Sequence, residues 1–285
     1  MLGRKDRKRT QNRKGGATFK LDDTFRHDEH LMNLAAAKPP LRTVAVVFAV
    51  AAAIAIPAVQ MSQGLGLSQR DFAADGDTTL RAAAYAFSIW SVIYAWLIVY
   101  AVHQAMPRTQ ETPLLHLFGW PSAVAALGCG LWIAAAAANA KLATVAIIFI
   151  SAGALLRPML QHAGFVAAAQ GRERLFVLWP LGLLAGWLTI ASALNLLTVL
   201  TAEGVISPLT ALGWANGGIV VVAATGLYVT YRTRLPAYPI PIAWGLVAVF
   251  VAERQAQPAV GWLALTAAIA VAAAGVWAAI NWRTT

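Results

Sequence analysis

Charge is what this chain has least of. Only 12% of its 285 residues are charged, while 59% are hydrophobic and the mean hydropathy is +0.62. Soluble proteins carry about 25% charged residues, so this surface cannot face water throughout. Neither Leu175–Ala202 nor Val205–Tyr231 contains a single charged side chain. A bilayer crossing takes ~20 apolar residues, so such runs are spanning helices. A soluble enzyme, a nucleic-acid-binding domain and a disordered scaffold are thereby excluded. Cysteine is nearly absent too. Cys129 stands alone, which rules out an intramolecular disulfide and a cysteine metal cluster. The first apolar stretch begins near Leu41, too late for a cleavable signal peptide.

Carboxylates are missing from the apolar runs, and much chemistry goes with them. An ionisable group in lipid is costly and marks function by default. The spans hold no Asp/Glu relay, no run of gating arginines, no carboxylate pair and no HExxH pattern. Arg157, His103 and His162 lie at or just beyond span ends, and His116 just before one. Ion-coupled transport and intramembrane hydrolysis lose their usual residues, and no enzyme is expected.

What remains is an all-α, polytopic membrane protein of about eight transmembrane helices. Hydropathy puts them at Leu41–Met61, Ala82–His103, Leu117–Asn139, Leu142–Leu156, Leu175–Leu200, Leu209–Tyr231, Tyr238–Ala252 and Val260–Ile280. The fourth and seventh are short, and Pro236, Pro239 and Pro241 crowd the start of the seventh. Eight crossings with both termini cytoplasmic put 18 Lys and Arg inside against 4 outside, as positive-inside bias requires. The expected location is a bacterial cytoplasmic (inner) membrane. Outside, the loop between the first two spans carries Asp71, Asp75 and Asp77, which could hold a cation or a basic partner or simply be solvated.

Residues 1–40 form a basic tail too polar to fold alone. Met1–Lys20 has eight basic residues against one acid, Asp6. Near an anionic leaflet each Lys or Arg gains about 1 kcal/mol. Membrane lipids are therefore expected partners, and a docking arm for a larger membrane complex is the sharper alternative. His27 and His30 are too weak a pair to argue a metal site.

Aromatic and small polar side chains take the place of charge. Phe87, Trp90 and Tyr94 fall within about 60° on a helical wheel. In the fifth span a Gly182/Gly186 step, which lets another helix approach closely, precedes Trp187, Ser192 and Asn195. Trp187 and Asn195 are roughly 80° apart and can border one groove. Trp132 and Asn139 make a similar pair in the third span, although Asn139 could instead cap its end. Trp120, Trp179, Trp262 and Trp282 lie near span ends, as interface anchors do. A cleft of indoles with a few amides and hydroxyls suits a flat, apolar ligand.

Two segments carry a family resemblance. Tyr85-Ala86-Phe87-Ser88-Ile89-Trp90-Ser91-Val92-Ile93-Tyr94 resembles the Phe…Trp-x-x-x-Tyr helix of the tryptophan-rich sensory protein, or translocator protein (TspO/MBR), family. Gly186-Trp187-Leu188-Thr189-Ile190-Ala191-Ser192-Ala193-Leu194-Asn195 is similar to its Trp-x-x-x-Ala-x-x-x-Asn helix. The likeness is to long members. It implies a five-helix TspO-like core over residues 41–200 and three additional C-terminal helices over 201–285. The chain departs where short members place an aromatic and acidic motif after the helix 5 Asn; here Leu196-Leu197-Thr198 follows.

The resemblance implies a receptor or sensor that binds a tetrapyrrole or another flat hydrophobic molecule, with a non-covalent porphyrin or related pigment as the bound group. Phe87, Trp90, Tyr94, Trp132, Trp187 and Asn195 would line the site. The competing expectation is a non-catalytic accessory or scaffold subunit of a larger membrane complex, docked through its helices and tail. Facilitated passage of a small apolar solute is a third.

Overall fold

The computed structural model describes residues 40–106 and 112–282. The basic tail with His27 and His30 lies outside the described residues, as do Arg108 and Arg283. Among the described residues every regular element is helical. In chain order these are α1 (Leu41–Gln63), the short α2 (Gln69–Ala74), a 3₁₀ turn (Ala84–Ser88) leading into α3 (Ile89–Ala105), α4 (Pro113–Ala137), α5 (Lys141–Gln161) and the short α6 (Ala163–Ala168). A helical turn at Gly171–Glu173 and a π-helical segment at Arg174–Leu178 run into α7 (Trp179–Ala202). Then come α8 (Ala211–Thr233), α9 (Pro239–Glu253) and α10 (Pro258–Trp282).

Boundaries follow local chemistry. Pro113, Pro239 and Pro258 each open a helix, where the missing N–H has no partner to lose. Gly64 ends α1 in the left-handed region, with φ of 60°. Asn139 does the same after α4, with φ of 53°, so it caps that helix and is not part of a cleft.

Among the described residues seven helices are long and apolar enough to cross a membrane, and the chain is an integral membrane protein. The fourth expected span is not short. Lys141–Gln161 has 21 residues, because Pro158 is carried inside the helix instead of ending it. The seventh stays short. Its 15 residues rise only about 22 Å, below the ~30 Å of a hydrocarbon core.

The shortfall has a structural remedy. Leu235, Ala237 and Tyr238, just before α9, are buried against Gly182 and Gly186 of α7. A Cβ at Gly186 would meet the Tyr238 carbonyl oxygen at 2.0 Å. The Gly182/Gly186 step therefore admits an irregular strand of backbone as well as the start of α9. Non-helical backbone at membrane depth is tolerated only when buried in protein like this. Pro239 and Pro241 remove two of the four orphan donors at the buried helix start.

Contacts at the two ends show how the chain alternates. Lys141 binds Asp75 at 2.7 Å and Glu203 at 3.3 Å, and Arg81 binds Glu253, all at one end. At the other, Arg42 Nη1 lies 2.7 Å from His116 Nδ1, and the buried Arg174 donates to the Arg234 carbonyl at 2.9 Å. In lipid no hydrophobic force pulls helices together, so close packing and interhelical hydrogen bonds hold the bundle. Tyr100–Ser122 (2.7 Å), Thr189–Tyr238 (2.8 Å) and Asn195–Thr144 (3.2 Å) are such bonds, worth about 0.6 kcal/mol each on average. α7 is the central helix. In its most apolar stretch 67% of residues are buried, against 28% in α8.

Candidate functional site

Two faces of α7 matter. Trp187, Ala191, Leu194, Asn195 and Thr198 recur at helical spacing on one side and line a cavity of about 210 Å³. The wall opposite comes from Phe87, in the 3₁₀ turn, and from Trp132 on α4. A smaller pocket of about 40 Å³ continues it and is bordered by Trp90 and Cys129.

The aromatic side chains make one connected cluster. Trp187 meets Trp90 edge-on at 6.0 Å and Phe87 at 6.4 Å, and Trp90 stacks on Tyr94 at 5.0 Å. Such pairs contribute ≈ 0.5–1.5 kcal/mol beyond area burial and fix ring orientation. Of the six residues expected from the sequence, Phe87, Trp132, Trp187 and Asn195 line the larger cavity. Trp90 lines the deeper pocket, and Tyr94 reaches it only as a support behind Trp90. Phe87 belongs to a 3₁₀ turn, so its angular relation to Trp90 differs from that of a continuous α-helix.

Two polar atoms on the cavity wall are left over. Asn195 is 6% exposed, and its Nδ2 donates to Thr144 Oγ1, which in turn donates to the Lys141 carbonyl. Its Oδ1 has no hydrogen-bond partner among the described residues, and neither does Trp132 Nε1. Both atoms belong to lining residues but are themselves closed off from the open space. An unmet buried polar group costs about 1–3 kcal/mol.

The loop between α1 and the 3₁₀ turn closes the chamber, and the spacing of the apolar runs did not disclose it. Ser68 and Asp71 form a capping box that starts α2, which puts Phe72 edge-on to Trp132 at 5.9 Å. A capping-box pattern followed by one large apolar residue in a polar loop was the available signal. Gly76 lies against the Thr198 backbone, where a Cβ would meet the carbonyl oxygen at 2.0 Å. The acidic cluster is occupied internally. Asp71 caps α2 and Asp75 pairs with Lys141, while Asp77 borders the cavity near Arg81.

Arg81, on the rim, donates its backbone N–H at 2.9 Å and its Nε at 3.1 Å to Glu253 Oε1. That hydrogen bond and charge raise the Arg81 pKa above its ordinary value. Glu253 is fully buried at the end of α9, a position the sequence marks only as the residue after an apolar run. α9 grips the same rim further on. The Ala83 N–H donates to the Ala248 carbonyl at 3.0 Å, and Trp244 Nε1 to the Ala86 carbonyl at 3.1 Å. The last helices therefore fix the segment from which Phe87 projects.

No curated protein and no solved structure matches the chain. One family model does, that of the TSPO-like protein, over residues 42–277. It runs from the start of α1 into the last turns of α10, so the C-terminal helices are part of the matched region. With helices of membrane-spanning length over the same stretch, the chain belongs to the TSPO-like protein family.

Proposed function

We propose that the protein is a non-catalytic membrane receptor or sensor that takes a tetrapyrrole, or another flat hydrophobic molecule, into the cavity between α2, the 3₁₀ turn, α4 and α7. The observation that carries this is the connected ring cluster of Phe87, Trp90 and Trp187 beside a cavity that Trp132 and Asn195 also line. Indole faces accept a planar apolar ring. Arg70 and Arg81 at the mouth suit carboxylate substituents left outside. At about 210 Å³ the chamber is smaller than the ~300–1,000 Å³ of drug-sized ligand sites. A tetrapyrrole therefore enters edge-first and seats fully only as the loop carrying Phe72 moves outward. Such gating by a loop is a common way to enclose a ligand.

Titration with a porphyrin in lipid nanodiscs, read by tryptophan quenching, tests this. Trp90→Ala and Trp187→Ala should each weaken binding more than Trp262→Ala, at an exposed position packed on Phe250. Absence of quenching in the parent, or equal losses in all three variants, refutes the proposal.

We further propose eight crossings with both termini cytoplasmic, supported by the 18-to-4 distribution of basic residues. Cysteines introduced at Gln63 and Thr284 should label from opposite sides; labelling from one side refutes it.

A further inference from the structure

The chamber wall that carries Phe87 is held from behind by a helix that does not reach the chamber. Leu80, Ala82, Ala84 and Phe87 line the cavity, and of the described residues that line it none belongs to α9. Yet α9 meets this segment at three successive points. Arg81 donates its backbone N–H to Glu253 at 2.9 Å, and Ala83 donates its own to the Ala248 carbonyl at 3.0 Å. Trp244 Nε1 then donates to the Ala86 carbonyl at 3.1 Å, and its ring lies edge-on to Tyr85 at 5.1 Å.

These contacts run antiparallel. As the segment goes from Arg81 to Ala86, its partners go back along α9 from Glu253 to Trp244. That stretch of α9 rises about 14 Å, and five residues of chain reach at most ~18 Å. The segment is therefore laid along α9 with little slack before its ring-bearing turn. Backbone outside a helix must find partners for its N–H groups, and α9 supplies them for Arg81 and Ala83. Trp244 is 38% exposed, so its ring is not forced into place by burial. Its N–H is nonetheless turned onto the Ala86 carbonyl, one residue before Phe87.

We propose that Trp244 and Glu253 are positioning residues that set the selectivity of the chamber: α9 fixes where Phe87 stands, and Phe87 limits how wide a planar ring is received. This rests on the receptor reading above. A wall placed in advance costs a ligand nothing to order. A narrow ring uses that wall in its resting position, whereas a wide ring must displace it. A firmly held wall thus favours the narrow ring and penalises the wide one. Releasing one anchor shifts selectivity toward wide rings, which a general loss of packing would not do.

The test is Trp244→Phe in lipid nanodiscs, with Trp214→Phe on α8 as the control for one indole fewer. Phenylalanine keeps a ring beside Tyr85 and deletes the N–H. Hydrogen exchange over residues 81–88, read without ligand, should speed up about fivefold, the worth of about one hydrogen bond. Binding is measured by equilibrium dialysis for a porphyrin and for the narrower anthracene-2-carboxylate. The ratio of porphyrin to anthracene affinity should rise about fivefold in Trp244→Phe and keep its parent value in Trp214→Phe. Glu253→Ala should move both readouts the same way. Glu253→Gln, which keeps an oxygen for the Arg81 N–H, should restore most of the difference. Unchanged exchange over 81–88 in Trp244→Phe overturns the proposal. So does a proportional fall of both affinities, the mark of a merely structural role. If the parent binds neither ring, the receptor reading fails and selectivity falls with it, while exchange still decides whether α9 positions the segment.

Discussion

α7 separates two spaces of different construction. On one face, Trp187 and Asn195 line a small chamber closed by rings from α2, the 3₁₀ turn and α4. On the other, Ser192 and Ala193 border a wide groove between α5, α7 and α8 whose far wall is glycine. Each face holds one buried polar side chain with an unpaired oxygen. Large rigid rings leave a small cavity, whereas small residues leave a long opening. One helix can carry both because 3.6 residues per turn gives it independent faces.

The harshest way to break the comparison is to remove the helix both spaces share. Gly186→Val puts side-chain atoms into the Tyr238 carbonyl, a backbone atom that cannot step aside. We expect loss of monodisperse protein in mild detergent, with porphyrin quenching lost as well. Retention of quenching would show that the chamber does not depend on the α7–α9 contact.

A second variant should disturb one face only. Glu253→Ala leaves Arg81 without its partner and frees the rim of the aromatic chamber. Breaking a fully buried pair costs about 3–5 kcal/mol. Arg81 is 39% exposed and water compensates it, so a smaller loss of about 1–3 kcal/mol is expected. It should appear as a lower thermal midpoint and faster tryptic cleavage at Arg81.

Asn195→Leu sharpens the contrast from the chamber side. It removes the amide from the chamber wall together with its bond to Thr144, and porphyrin affinity should fall about five- to tenfold, the worth of about one hydrogen bond. Gly217→Leu, which fills open space on the groove side, should leave porphyrin quenching unchanged. The smallest loss is expected from Thr144→Val, which deletes the bond from Asn195 Nδ2. At about 0.6 kcal/mol this is roughly a threefold loss of porphyrin affinity.

Much of the chamber was legible beforehand because its residues lie on single helices. Trp187 and Asn195 share a face by spacing alone, and Trp90 and Tyr94 do so in α3. Phe72, Arg81 and Glu253 were not legible, since they come from a loop, a helix approach and the end of a distant helix. Arg81 and Glu253 are 172 residues apart. The Gly182/Gly186 step announced the close approach of a helix, and its partner proved to be the Leu235–Tyr238 turn together with the first residues of α9. Asn139 turned out to cap α4.

By itself, then, the sequence determined that the chain is helical, lies in a membrane, carries an aromatic face on its second span and sets Trp187 and Asn195 on one side of its fifth. Those properties are local: uncharged runs of ~20 residues have no other stable form in lipid, and ring spacing along one helix fixes its face. Tertiary structure alone decided which faces meet, that a buried turn leads into the 15-residue α9, and that Gly213 and Gly217 border open space where close contact was the ordinary outcome. The reason is that in lipid every helix surface is about equally apolar. Helix pairing there depends on shape and on a few hydrogen bonds between residues far apart in the chain.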